Sequence, residues 1–131
     1  MAQSAVRHIR ILAIDDSPDF LSSLQSFFET THDFQLVATA ASGYAAIPLI
    51  QELHPDLVLM DLQMAEMNGL EATSEIRRRF PGTPVVIITA HEVSGLRQVC
   101  HENGAYDCVK KSRLYQDLPG VLAKFLVSRQ A

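Results

Sequence analysis

The sequence predicts an α/β fold in which five parallel strands form one sheet buried between two layers of helices. Two observations predict it. Short apolar runs alternate five times with stretches of helical spacing. Several of the runs, such as "LVLM" at 57–60, are apolar at consecutive positions, as a strand covered on both faces requires. The right-handed crossover rule then narrows the topology to a flavodoxin-like doubly wound (βα)5 sheet of order 2-1-3-4-5.

Each element has its own signal. Ile9 to Ile14 reads as the first strand. "SPD" at 17–19 offers a Ser17 N-cap with proline at the first helical position. Phe20, Leu21, Leu24, Phe27 and Phe28 then follow the spacing of one helix face. Phe34 to Ala40 reads as the second strand. "GYAAIPLIQEL" at 43–53 is helical in pattern, but Pro48 lacks a backbone donor, so a kink or a late start is expected. Leu57 to Met60 is the third strand. Asn68 and Glu71 have capping-box spacing for a helix whose face is Leu70, Thr73, Ile76, Arg77 and Phe80, and "FPGTP" stops it. Val85 to Thr89 is the fourth strand. Residues 92–103 read as a helix weakened by Gly95, a cost of about 1 kcal/mol relative to alanine. Tyr106 to Val109 is a short fifth strand. Leu118, Val121, Leu122, Phe125 and Leu126 mark the last helix, with Asp117 as its cap and Pro119 in its first turn.

Composition excludes several classes. With 131 residues, 47% of them hydrophobic, and a net charge of −4, the chain fits one globular domain over 1–131 with a core at about 8–127. No apolar run approaches the roughly 18 residues that span a bilayer, and "MAQSAVRHIR" lacks the apolar stretch of a signal peptide, so no membrane and a cytoplasmic location are expected. Cys100 and Cys108 are too far apart for a CxxC motif and read as reduced packing residues. The mild acidity gives no electrostatic footprint for nucleic acid, and "IRRRF" at 76–80 reads as the wet face of a helix. His8, His32, His54 and His101 have no ligand spacing.

Folds of this class bind at the carboxyl ends of their strands. There the first strand carries Asp15 and Asp16, the third Asp61, the fourth Thr89, and the fifth is followed by Lys110 and Lys111. In the predicted order the first and third strands are neighbours, so three carboxylates converge on one cleft. Two like charges 4 Å apart repel by about 4 kcal/mol at an effective dielectric of 20, a cost that a divalent cation relieves. Carboxylate oxygens in a wet cleft suit Mg²⁺. Strand alternation sends Lys110 and Lys111 in opposite directions.

"DD" at 15–16, "DLQMAEMNG" from Asp61, "IITA" ending at Thr89 and Ala90, and "GAYDCVKKS" containing Lys111 together resemble a response-regulator receiver domain, the phosphoaccepting module of two-component signalling. The resemblance implies that Asp61 accepts a phosphoryl group from a sensor histidine kinase or phosphotransfer protein. It implies that Asp15, Asp16, Asp61 and the backbone carbonyl of Gln63 hold Mg²⁺, that Thr89 hydrogen-bonds the phosphoryl group, and that Lys111 pairs with it. Gln63 and His91, two residues beyond Asp61 and Thr89, stand where variable side chains tune access of water. Thr89 and an aromatic residue on the fifth strand form the usual switch, and here Cys108 replaces the aromatic. Tyr106 shares its face by strand period but is not expected to take over, because period gives direction and not reach. Ala65 and Ser112 replace family prolines, so the loop after Asp61 loses a restraint and the backbone at Ser112 is not fixed by the family pattern.

Two other classes fit these residues less well. A Mg²⁺-dependent phosphohydrolase with an aspartate nucleophile commonly needs an acid two positions later, where this chain has Gln63. A flavin or nucleotide module needs a glycine-rich phosphate loop, whereas the first turn is acidic "DDSPD". The expected output is therefore binding rather than enzymatic turnover. "GLEATSEIRRRFPGTPVVIIT" resembles receivers that precede a LuxR-type DNA-binding domain, which favours a receiver separated from an output domain over a stand-alone one. Contact with DNA would then come only through a domain absent from this chain, and a homodimer on phosphorylation is implied by resemblance.

Overall fold

Five strands, β1 (Ile9–Ile14), β2 (Phe34–Ala40), β3 (Leu57–Asp61), β4 (Val85–Thr89) and β5 (Asp107–Lys110), pair in parallel in the order β2-β1-β3-β4-β5. The helices are α1 (Pro18–Glu29), α2 (Gly43–Leu53), α3 (Gly69–Arg79), α4 (Arg97–Glu102) and α5 (Leu114–Gln130), with a 3-10 turn at Lys111–Arg113. This computed structural model describes residues 9–64 and 68–130, the side chains of 129 and 130 excepted. His8 and Ala65 lie outside the described residues. The predicted fold and strand order are those observed.

Strand alternation divides the core. Ile9, Ile11 and Ala13 of β1, Leu57 and Leu59 of β3, Val86 and Ile88 of β4 and Val109 of β5 pack with α1 and α5 through Leu24, Phe28, Leu118 and Phe125. The intervening positions Leu12, Ile14, Val58, Met60 and Val85 pack with α2 and α3 through Ala46, Ile50, Ala72 and Ile76. Leu62, Ile87, Cys100, Ala105 and Cys108 form a smaller cluster involving α4. Burying one such Leu or Ile side chain contributes about 1.5–3 kcal/mol, so a one-residue slip of any central strand would forfeit several of these terms at once. Register is therefore set from β1 through β3 and β4 to β5, while the pairing of β1 with β2 shifts by one residue between Ile11 and Leu12.

Two of the caps, those of α1 and α3, fall where the sequence places them. Ser17 Oγ accepts the Phe20 amide at 3.3 Å and Asn68 Oδ1 the Glu71 amide at 2.9 Å. On the α3 surface Arg78 and Arg79 pair with Glu75 in solvent, as expected of a wet face. His54 is the C-cap of α2 in the left-handed region, φ 49°. Among the described residues no helix is long and apolar enough to cross a membrane.

Five boundaries differ from expectation. Asp61 is the last residue of β3 rather than the first beyond it, held by its register with Ile88 of β4. The fifth strand starts at Asp107 and includes Lys110, so Tyr106 lies outside it. α2 does not start late: Ser42 caps it at Gly43, and it runs through Pro48, whose missing amide affects only the carbonyl of exposed Tyr44. α4 is confined to Arg97–Glu102, which leaves Gly95 in the preceding turn, where it costs no helix stability. α5 opens at Leu114, one turn before Asp117, because buried Leu114 extends the stripe of Leu118, Leu122 and Phe125 back toward β5. Asp117 is consequently not a cap; its carboxylate accepts from Arg113 Nε at 3.3 Å in the first turn, and Pro119 lies inside the helix.

Candidate functional site

The same alternation builds the site. Asp15 continues the parity of Ile9, Ile11 and Ala13, Asp61 that of Leu57 and Leu59, and Lys111 that of Val109. All three side chains thus leave the sheet's C-terminal edge toward the α1 and α5 side. One oxygen from each of Asp15, Asp16 and Asp61 lies within 4.8 Å of the others. At an effective dielectric of 20, each fully charged pair at that separation repels by about 3–4 kcal/mol, so the cluster favours an added cation.

Part of that repulsion is already offset within the chain. Asp15 is only 1% exposed; its Oδ1 accepts the Ser17 amide at 2.8 Å and its Oδ2 the Lys111 ammonium at 2.9 Å. The same ammonium sits 4.1 Å from the centroid of the Phe20 ring. Asp61 is 6% exposed, and burial, followed by the charge of Asp15, pushes its pKa from 3.8 up to about 6. Lys111 and a hydrogen bond from the Gln63 backbone amide pull in the other direction. At neutral pH Asp61 therefore remains mostly ionised, at a cost set by its burial and by Asp15. An ionised carboxylate has the chemistry of a nucleophile toward phosphorus.

Thr89 closes β4 with opposite parity and is fully buried; its Oγ1 accepts the His91 amide at 3.0 Å and retains its proton for donation. The side chains of Gln63 and His91 are exposed. Lys110 and Lys111 part as alternation predicts: Lys110 pairs with Glu92 of the loop after β4, and Lys111 with Asp15. Ser112 lies in the 3-10 turn.

Cys108 is buried with Leu62 and Ile87, and its Sγ lies 3.5 Å from that of Cys100, both as free thiols. Their distance in sequence hid this contact. Burial pushes the Cys108 thiol up to about 12, the neighbouring Cys100 thiol adding to the effect, and burial raises the Cys100 thiol too, which disfavours the thiolate in both. Tyr106 does not share their face. It precedes β5, and its ring meets Phe125 of α5 edge-on at 5.9 Å.

Gly69 is a site residue to which sequence reasoning gave no role. It opens α3, its amide donating to the Leu62 carbonyl at 2.7 Å, and a Cβ there would stand 2.2 Å from the Asp61 carbonyl oxygen. Only glycine lets α3 seat against the backbone that carries Asp61. The available signal was a glycine directly behind the Asn68 cap, where a better helix former costs nothing unless space forbids it.

The donor set fits Mg²⁺. It consists of hard carboxylate oxygens, with exposed Asp16 opening the cleft to the waters that such an ion retains.

A family profile described as "Response regulator receiver domain" matches residues 11–122. Response regulator protein VraR of Staphylococcus epidermidis is 42% identical over 82 residues, 63% of this chain and 39% of that protein. This chain therefore spans well under half of that relative's length. A protein-glutamate methylesterase/protein-glutamine glutaminase of Alkalilimnicola ehrlichii is 35% identical over 114 residues, 86% of this chain and 28% of that protein. Among solved structures, a LuxR-family two-component response regulator from Aurantimonas sp. SI85-9A1 superposes with a TM-score of 0.79 at 31% identity, covering 89% of this chain and 86% of that one.

Proposed function

The chain belongs to the response-regulator receiver family, and from that premise we propose that Asp61 is its phosphoacceptor, with Mg²⁺ held by Asp15, Asp16, Asp61 and the Gln63 carbonyl. The observation that carries this reading is the meeting of three carboxylates within 4.8 Å at one sheet edge, with the Lys111 ammonium already on Asp15. When bound, Mg²⁺ supplies the positive charge that neutralises the cluster and the incoming phosphoryl oxygens.

This chain's own residues do the rest by position and charge. An ionised Asp61 oxygen attacks the phosphorus of a phosphohistidine; the P–N bond breaks with its electron pair passing to the imidazole, and an aspartyl phosphate forms. Lys111 sits on the adjacent carboxylate, from which its ammonium would turn to the new phosphoryl oxygens. The Thr89 proton is free to serve another of those oxygens. Because the Thr89 hydroxyl also holds the His91 amide, its movement pulls on the loop that leads to α4, a helix of six residues without a side-chain cap. Cys108, packed beside Ile87 and Leu62, would repack into the space that shifts there, in place of an aromatic rotation. Gln63 and His91, exposed at the mouth, would set the lifetime of the phosphoryl group by governing access of water.

A receiver implies a histidine kinase or phosphotransfer protein as its phosphodonor. The output would be binding, with phosphorylation biasing an equilibrium between surface shapes. In this reading residues 1–131 are a single cytoplasmic receiver that dimerises on phosphorylation and regulates transcription through a DNA-binding domain outside this chain. The LuxR-family relative and the partial coverage of VraR support that role. Gln63, where a phosphohydrolase would place its acid, disfavours turnover. The test is an NMR titration with beryllofluoride and Mg²⁺: wild type should show a Mg²⁺-dependent set of shifts around Asp61, Thr89 and Lys111 that Asp61→Asn lacks. Identical spectra for the two, or steady turnover of a phosphomonoester, would overturn the reading.

A further inference from the structure

We propose that Phe20 is a positioning residue whose ring holds the Lys111 ammonium over the carboxylate cleft, so that this charge is in place before a phosphoryl group arrives. The proposal rests on the reading of Asp61 as phosphoacceptor. Lys111 Nζ lies 4.1 Å from the Phe20 ring centroid and 2.9 Å from Asp15 Oδ2, pinned between an aromatic face and a buried carboxylate. Its side chain is 27% exposed. A lysine head is a compact, strongly hydrated charge on a flexible stem, and in the absence of other constraints it turns outward to water. The ring quadrupole attracts the ammonium where solvent would otherwise draw it away.

Phe20 can do this because its own place is fixed from both sides. It is the third residue of α1, and its amide is the donor that satisfies the Ser17 cap at 3.3 Å. Its ring, partly buried, packs on the cluster that joins α1 to the α5 face of the sheet. The side on which Lys111 emerges is the same one, by the parity it shares with Val109. An aliphatic side chain here would fill the space but offer the ammonium nothing. The contact keeps Lys111 near Asp15 and Asp61 in the resting protein and leaves it near both when it turns to the phosphoryl oxygens.

Two measurements test this. In the unliganded protein the Lys111 Hε resonances should lie upfield of ordinary lysine positions through the ring current, and Phe20→Leu should return them. In the titration with beryllofluoride and Mg²⁺, Phe20→Leu should weaken binding roughly fivefold, while Phe20→Tyr, which keeps the ring, should stay within about twofold of wild type. Unshifted Lys111 resonances in wild type would overturn the proposal, as would unaltered binding by Phe20→Leu, or an equal loss in the Leu and Tyr variants with both folded. If wild type itself fails to bind beryllofluoride, the phosphoacceptor reading falls, and the Lys111 resonances still decide the ring contact by themselves.

Discussion

Replacing Asp61 with asparagine should stabilise the protein at neutral pH when divalent cations are absent. Burial first, then Asp15, raises the Asp61 pKa from 3.8 to about 6. A carboxyl group with a raised folded pKa binds its proton more tightly when folded, so its ionisation opposes folding. That penalty is complete above the folded value, shrinks as pH falls through about 6, and is gone below 3.8. At about 1.4 kcal/mol per pH unit the shift corresponds to about 3 kcal/mol. The cleft is open to water beside Asp16, and screening there reduces the expected effect to about 1–2 kcal/mol. For a chain of this length that is a Tm increase of about 3–7 °C. Thermal unfolding of both proteins with a chelator present, at about pH 7 and again at about pH 4, measures it. The variant should lead at neutral pH and lose most of its lead in acid. Added Mg²⁺ should raise wild type more than the variant. A variant less stable than wild type at neutral pH, or a lead that persists unchanged in acid, would refute the electrostatic account of the cleft.

Three further outcomes follow from single contacts. Gly69→Ala drives a Cβ into the Asp61 carbonyl oxygen and the Leu62 Cα, so it should cost about 1–3 kcal/mol in urea unfolding and also impair Mg²⁺-dependent beryllofluoride binding. Lys111→Met leaves the buried Asp15 carboxylate without its cation and should destabilise the chelator-treated protein by about 1–3 kcal/mol, with Mg²⁺ restoring part of the loss in the same assay. Cys100 and Cys108, buried and with raised pKa values, should react slowly with a thiol reagent in the native protein and rapidly once it is unfolded, as followed by labelling kinetics.

The strands were legible because parity and burial act together. "LVLM" is apolar at each position since β3 is buried on both faces, and that pattern survives without knowledge of any partner strand. Ser17 and Asn68 were legible because a cap is a local hydrogen bond. Strand parity also separated Lys110 from Lys111 before any contact was visible. What failed was tertiary or marginal. α5 begins a turn early because Leu114 finds a buried site against β5, a gain that Asp117 and Pro119 could not report. Pro48 stays within α2 because its missing bond falls at the exposed Tyr44 carbonyl and not in the core. Tyr106 left the face assigned to it because the strand starts one residue later and an aromatic partner, Phe125, waits on the other side. At the site, the carboxylates, Thr89 and Lys111 could be placed from strand ends. The roles of Gly69 and Phe20 depend on how closely α3 and α1 approach, distances that no spacing rule contains.

The most direct test of the central claim is the intact mass of the chain after incubation with a small phosphodonor, with and without Mg²⁺, followed by peptide mapping of the modified residue. Wild type should gain a single phosphoryl group on Asp61 only when Mg²⁺ is present, and Asp61→Asn should gain none. No gain in wild type, a gain indifferent to Mg²⁺, or a phosphoryl group mapped to another residue would contradict it.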